Sequence, residues 1–124
     1  MPIPYRRELT AFIDEFVEQH RGVRRGQMFG LPAVYVGRRL VACLIEDGII
    51  VRVPPDIAER EVKSRRAVRY NHGGRDSRNW VLYRPRTAAA ARSLVLVVEA
   101  AVRDSAERQT EEITGIRLKR ARRS

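Results

Sequence analysis

A single cysteine, Cys43, excludes an intrachain disulfide. It stands in the apolar run Leu40 to Ile45 and reads as a small buried hydrophobe. No apolar stretch reaches the roughly 18 residues of a membrane span. The opening Met-Pro-Ile-Pro-Tyr-Arg-Arg-Glu holds no apolar signal core. These absences set the expectation of a reducing, cytoplasmic setting with no membrane association.

Chemistry-bearing patterns are equally scarce. The two histidines, His20 and His72, are far apart and lack partners at ligand spacing, so no metal is expected. Cys43 lies within a strand, and no serine has a nucleophile-elbow context. The carboxylates are dispersed over helix surfaces. The expectation is a non-enzymatic protein without a cofactor, although an acid–base pair assembled by tertiary contacts would escape a reading of this kind. Asn71-His72-Gly73-Gly74-Arg75 has the composition of a phosphate-binding turn, but it precedes a strand rather than opening a helix, and reads better as a flexible connection.

What is abundant is arginine. Lys and Arg number 25 against 15 Asp and Glu, a net charge of +10 and a pI of about 11.1, with lysine only at 63 and 119. That balance favours anionic partners, such as nucleic acid or an acidic protein. Arginine-biased coding also produces it without any function. The 124 residues fit one domain, and 44% hydrophobic content suffices for a compact core.

The periodicities predict an α+β fold: an antiparallel sheet of about four strands, a three-strand meander plus one, packed with an N-terminal and a C-terminal helix. Leu9, Phe12, Ile13, Phe16 and Val17 mark an amphipathic helix over about 7–20, ended near Gly22. Strands are expected at 33–36, 40–45 and 49–53, with hairpins at Gly37-Arg38 and Asp47-Gly48. After Pro54-Pro55, Asp56 and Glu59 suit a capping box for a helix over about 56–64. Residues 64–79 read as a long polar loop with a short extended piece at 67–70, followed by a strand at Trp80 to Tyr83. Thr87 caps a final helix, Ala88 to about Arg108, apolar enough to need cover on more than one side. The N-terminal helix or a second subunit would supply it. Domain organisation is read as one domain over 1–114 and a basic tail over 115–124.

Met28-Phe29-Gly30, followed by Tyr35, Gly37, Val41-Ala42, Asp47-Gly48 and Ile49-Ile50-Val51, resembles the TfoX N-terminal domain family (TfoX/YjbR-like) over about residues 8–104. Met28, Phe29, Gly30, Tyr35, Gly48 and Trp80 carry the likeness. Leu31-Pro32 stands where the family often has a second glycine, and Val51-Arg52 where it often has an apolar–Lys pair. The resemblance implies the fold and a regulatory or binding role, with no catalytic residues to carry over.

Met28 and Phe29 read as core plugs at the helix–sheet junction, with Gly30 permitting a tight turn; the alternative is that they line a small pocket. The candidate anion- or nucleic-acid-binding residues are Arg21, Arg24 and Arg25 before that motif, and Arg65, Arg66, Arg69, Arg75 and Arg78 after the short helix, with Tyr70 placed to stack on a base. The bland alternative for these segments is a solvated surface. The leading expectation is a binding or regulatory domain that contacts nucleic acid or another polyanion. Its rivals are a protein-interaction module, homodimeric through the last helix, and a small enzyme with an unrecognised site.

Overall fold

The computed structural model describes residues 3–122, with side chains described for 3–71 and 73–111. A 3-10 turn, Arg7–Leu9, leads into α1 (Thr10–Gln19). Four strands follow: β1 (Arg24–Met28), β2 (Leu31–Val36), β3 (Arg39–Ile45) and β4 (Gly48–Arg52). Then come α2 (Pro55–Lys63), β5 (Val68–His72), β6 (Arg75–Tyr83), α3 (Ala88–Ala91), a 3-10 turn at Arg92–Leu94 and α4 (Val95–Arg122).

The architecture is α+β, but the sheet has six strands in the order β1-β2-β3-β4-β6-β5, all pairing antiparallel. Two strands beyond the expected four lie in segments read as basic or polar loop. Arg24–Met28 has no apolar alternation, yet its backbone pairs with Leu31–Tyr35. The polar stretch after α2 folds as a hairpin whose turn is Gly73-Gly74, with φ of 63° and 83°. Two successive positive φ values match the twist of flanking strands, and glycine reaches them without steric cost.

The helices gather on one face of the sheet. Leu9, Phe12, Ile13 and Phe16 pack there with Val34, Val41, Leu44, Ile49, Val51, Val81, Leu94 and Val98 in one buried cluster. Phe16 stacks on His20, whose Nε2 lies 3.3 Å from Glu99 on α4, and Arg92 reaches Glu15 at 3.7 Å. So α1 supplies the second cover that the apolar last helix requires, and Leu96 remains exposed. Thr87 caps the helical start at Ala88 as expected, its hydroxyl accepting from the Ala90 N–H at 3.0 Å, but the single helix expected over 88–108 is broken by the 3-10 turn at Arg92–Leu94 into α3 and the longer α4. By contrast, α2 begins at Pro55 with no side-chain cap, so the Asp56–Glu59 capping box does not form. α4 continues through residues 115–122 of the predicted tail, while Arg123 and Ser124 lie outside the described residues.

Gly48 does not sit in a turn. Ile45 pairs with Gly48, leaving Glu46-Asp47 as the loop, with Glu46 at φ 48°. Gly48 is required for space: a Cβ there would stand 2.2 Å from the Tyr83 carbonyl oxygen.

Beneath α2 lies a buried polar group. The Tyr83 hydroxyl donates to Glu61 Oε1 at 2.7 Å, and Arg66 Nε donates to Oε2 at 2.7 Å. Burial alone would raise the Glu61 pKa. Hydrogen bonds from Tyr83 and Arg66, with the charges of Arg66 and Arg60, outweigh it and hold the carboxyl below its usual range.

Candidate functional site

The other face of the sheet is also apolar. Strand alternation sends Leu31 and Ala33 of β2, Ile50 of β4 and Leu82 of β6 to this side. On β3 a bulge opposite Val34-Tyr35 turns both Val41 and Ala42 to the helical face, so Leu40 and Cys43, three residues apart, share the other. Among the described residues no apolar side chain of a helix joins this second cluster, although Gln109 of α4 reaches the pocket's edge beside Gly37 and donates to the Val36 carbonyl. Its cover comes from the rings of Tyr35, Tyr70 and Trp80 and from Tyr5.

These residues floor a pocket of ≈ 1060 Å³, just above the roughly 300–1,000 Å³ usual for small-molecule sites. At one end Met28 and Phe29 form the tip of the β1–β2 hairpin and line the wall. They are not core plugs. Phe29 is 77% exposed and Met28 37%, and Phe29 adopts φ 52° with Gly30 at 80°. The hairpin turn places both side chains over the open face instead of the helix junction. Ile3 lines the same wall, so three of the five exposed large apolar side chains among the described residues meet at this pocket.

The opposite end is cationic. Arg38 and Arg39, at the β2–β3 hairpin, and Arg52, at the end of β4, line it. Arg39 Nε donates to Ser105 Oγ at 3.2 Å. The Arg52 guanidinium carbon lies 4.8 Å from the centroid of the Trp80 ring, and its Nε is buried without a hydrogen-bond partner. Burial depresses the Arg52 pKa, and the nearby charges of Arg39 and Arg108 depress it further. Among the described residues neither Arg39 nor Arg52 has an ion-pair partner.

Two further titratable groups of the lining, Cys43 and Tyr70, are held neutral. Burial pushes the Cys43 thiol up to about 12. The Tyr70 hydroxyl is raised by burial, then by Glu46 and Cys43. Among the described residues, no group of three or more His, Cys, Asp or Glu is placed to hold a metal, and no helix is long and apolar enough to cross a membrane.

The sequence-predicted arginines do not form one patch. Arg24 and Arg25 lie on β1, one edge of the sheet, and Arg69, Arg75 and Arg78 on the β5–β6 hairpin at the other. Arg24 lies behind the pocket lining, 4.5 Å over the Tyr35 ring and donating to the Gly37 carbonyl at 3.1 Å. Arg25 pairs with Asp14 on the helical side. Arg66 is committed to Glu61, and Arg69 to the Ser77 carbonyl at 3.3 Å. Arg65, at φ 64°, lines a shallower depression with Arg69 and Asp76. Arg21 is exposed in the turn before β1. Tyr70 and Trp80 face the pocket.

Reading the sequence missed Arg38, Arg39, Arg52 and the pocket role of Cys43. A signal was present: Leu40 to Ile45 is apolar on both faces, although the chain has too few helices to cover both sides of a sheet. Compared with family models, with curated proteins and with solved structures, the chain matches none.

Proposed function

We propose that this chain is a non-enzymatic ligand-binding domain, related in fold to the TfoX N-terminal family, that receives a small apolar molecule on the open face of its sheet. One observation carries the reading: a roomy apolar pocket on the sheet face opposite the main helical cluster, with exposed Met28, Phe29 and Ile3 gathered at its wall. Exposed apolar side chains concentrated at a concavity mark a binding site. The neutral Cys43 and Tyr70, with arginines as the only charged groups lining the pocket among the described residues, suit binding better than acid–base chemistry. Part of the element order supports the family likeness: a helix before Met-Phe-Gly, a meander after it, then a short helix and a last helix, while the strand holding Trp80 begins at Arg75 and two further strands, β1 and β5, join the sheet.

Titration with Nile red, a neutral apolar dye, tests this. Saturable one-to-one uptake with quenching of Trp80, the only tryptophan, is expected. Absence of uptake at micromolar protein would overturn it.

A second reading is polyanion binding, favoured by the net charge of +10. It would use separate basic edges, with Arg21 and Arg24 on one and Arg65, Arg75 and Arg78 on the other. Affinity for a mixed DNA fragment should then fall steeply between low and moderate salt, and no binding at low salt removes the idea.

A further inference from the structure

We propose that the pocket's ligand is an amphiphile with a single anionic head and an unbranched apolar body, the chemistry of a medium-chain fatty acid, its carboxylate held by Arg52 and Arg39. This inference rests on the reading of the open sheet face as a ligand site and specifies what that site selects.

The pocket is polarised along its length. Phe29, Met28 and Leu31 make one end, while Arg38, Arg39 and Arg52 make the other. A wholly apolar ligand would leave the cationic end unanswered. A polyanion would leave the apolar end wet. An amphiphile matches both, and the direction is set: head towards Arg52, chain across Leu40, Cys43 and Ile50 towards Phe29.

Arg52 carries most of the argument. A buried polar atom normally has a partner, and leaving one unmade costs about 1–3 kcal/mol. The Arg52 Nε has none, and Arg39 and Arg108 add like charge nearby. Arg108 is itself paired with Asp104 at 2.9 Å, and Arg39 is fixed by Ser105. Among the described residues, the charged groups near Arg52 are the cations Arg39 and Arg108, with the Asp104 carboxylate already engaged by Arg108. Glu46, the acid felt by Tyr70, lies on the β3–β4 loop, away from Arg38 and Arg39 at the far end of β3. The buried Nε is out of a ligand's reach, but a carboxylate in the pocket can meet the Arg52 Nη groups and offset the crowded positive charge. Guanidinium and carboxylate are matched for two parallel hydrogen bonds.

Against the nearest competitor, a nucleic-acid base, Trp80 and Tyr35 each have one stacking face already taken. Each ring already has an arginine over it, Arg52 at 4.8 Å and Arg24 at 4.5 Å. A base would have to displace a guanidinium to stack there.

The test compares decanoate with 1-decanol by calorimetry on the full chain, for the native protein and for Arg52→Gln and Arg39→Gln, each variant checked for native far-UV circular dichroism. Decanoate is expected to bind tighter than decanol by about tenfold or more, the worth of a charge-assisted hydrogen bond. Arg52→Gln should remove that preference and leave decanol binding within about twofold. Should Arg52→Gln fail to fold, Arg39→Gln should still lose a substantial part of the preference. Equal affinity for the two ligands in the native protein overturns the anionic head while leaving the apolar pocket intact. Binding of neither, with Nile red also excluded, overturns both readings. So does a dimer in solution in which Trp80 is shielded from acrylamide, because a second copy would then occupy the face.

Discussion

Arg52 lies over Trp80 with its guanidinium carbon 4.8 Å from the ring centroid, yet its Nε has no hydrogen-bond partner. The two facts pull in opposite directions. The stacked ring contributes about 0.5–1 kcal/mol, while an unmade buried hydrogen bond costs about 1–3 kcal/mol. Arg52→Met keeps an unbranched stem and removes the charge. It should therefore leave urea-unfolding stability unchanged or raise it by about 1 kcal/mol, while decanoate binding falls. A loss above about 1 kcal/mol would make Arg52 a structural residue.

Phe29 is the second place where stability and binding should part. It holds a left-handed φ of 52° while 77% exposed, a conformation that costs a non-glycine residue about 1–2 kcal/mol. Phe29→Gly should stabilise the fold by about 1 kcal/mol in thermal or urea unfolding. The same variant should bind Nile red more weakly, because the pocket loses a wall. Unaltered dye affinity would remove Phe29 from the site.

Gly48→Ala should cost about 2–4 kcal/mol, measured by urea unfolding, since a Cβ would meet the Tyr83 carbonyl oxygen at 2.2 Å. Both contacting groups belong to paired strands, so neither can move without breaking the β4–β6 ladder. A near-neutral result would show that this ladder is looser than its register implies.

Glu61 gives the fold a pH dependence of known sign. Its pKa is held below the ordinary 4.5 in the folded chain. Its contribution is thus complete above about pH 4.5 and is lost as pH falls through the depressed value. Tyr83 acts at the alkaline end. Burial and the bond to Glu61 raise its pKa above the ordinary 10, so stability is retained below about pH 10 and lost as pH rises further. Glu61→Gln should cost about 1–2 kcal/mol at neutral pH and flatten the acid limb of a stability profile from pH 3 to 7. An unchanged acid limb would assign that limb to other carboxylates.

The helices and the meander were legible because burial imposes period on them. Phe12, Ile13 and Phe16 had to share a face, and β2, β3 and β4 stand out as short apolar runs separated by two-residue loops. β1 and the β5–β6 hairpin were not, because their pairing is carried by backbone hydrogen bonds that polar residues such as Arg24, Gln27 and Arg75 make as well as any. The site was half visible. Met28-Phe29-Gly30 announced itself, but an apolar pair reads as core unless the turn geometry is known, and φ 52° at Phe29 is invisible in a letter. Arg39 and Arg52 stand out only once β3 and β4 are paired and Ser105 and Trp80 are known to flank them.

An NMR titration of the 15N-labelled chain with decanoate decides whether the open sheet face is the binding site. Amide shifts should concentrate at Leu31, Leu40, Cys43, Ile50 and Phe29, with the Trp80 indole and the Arg52 Nε–H moving as the head group docks. Shifts spread over α1 and the helical face of the sheet, or none at saturating decanoate, would contradict it.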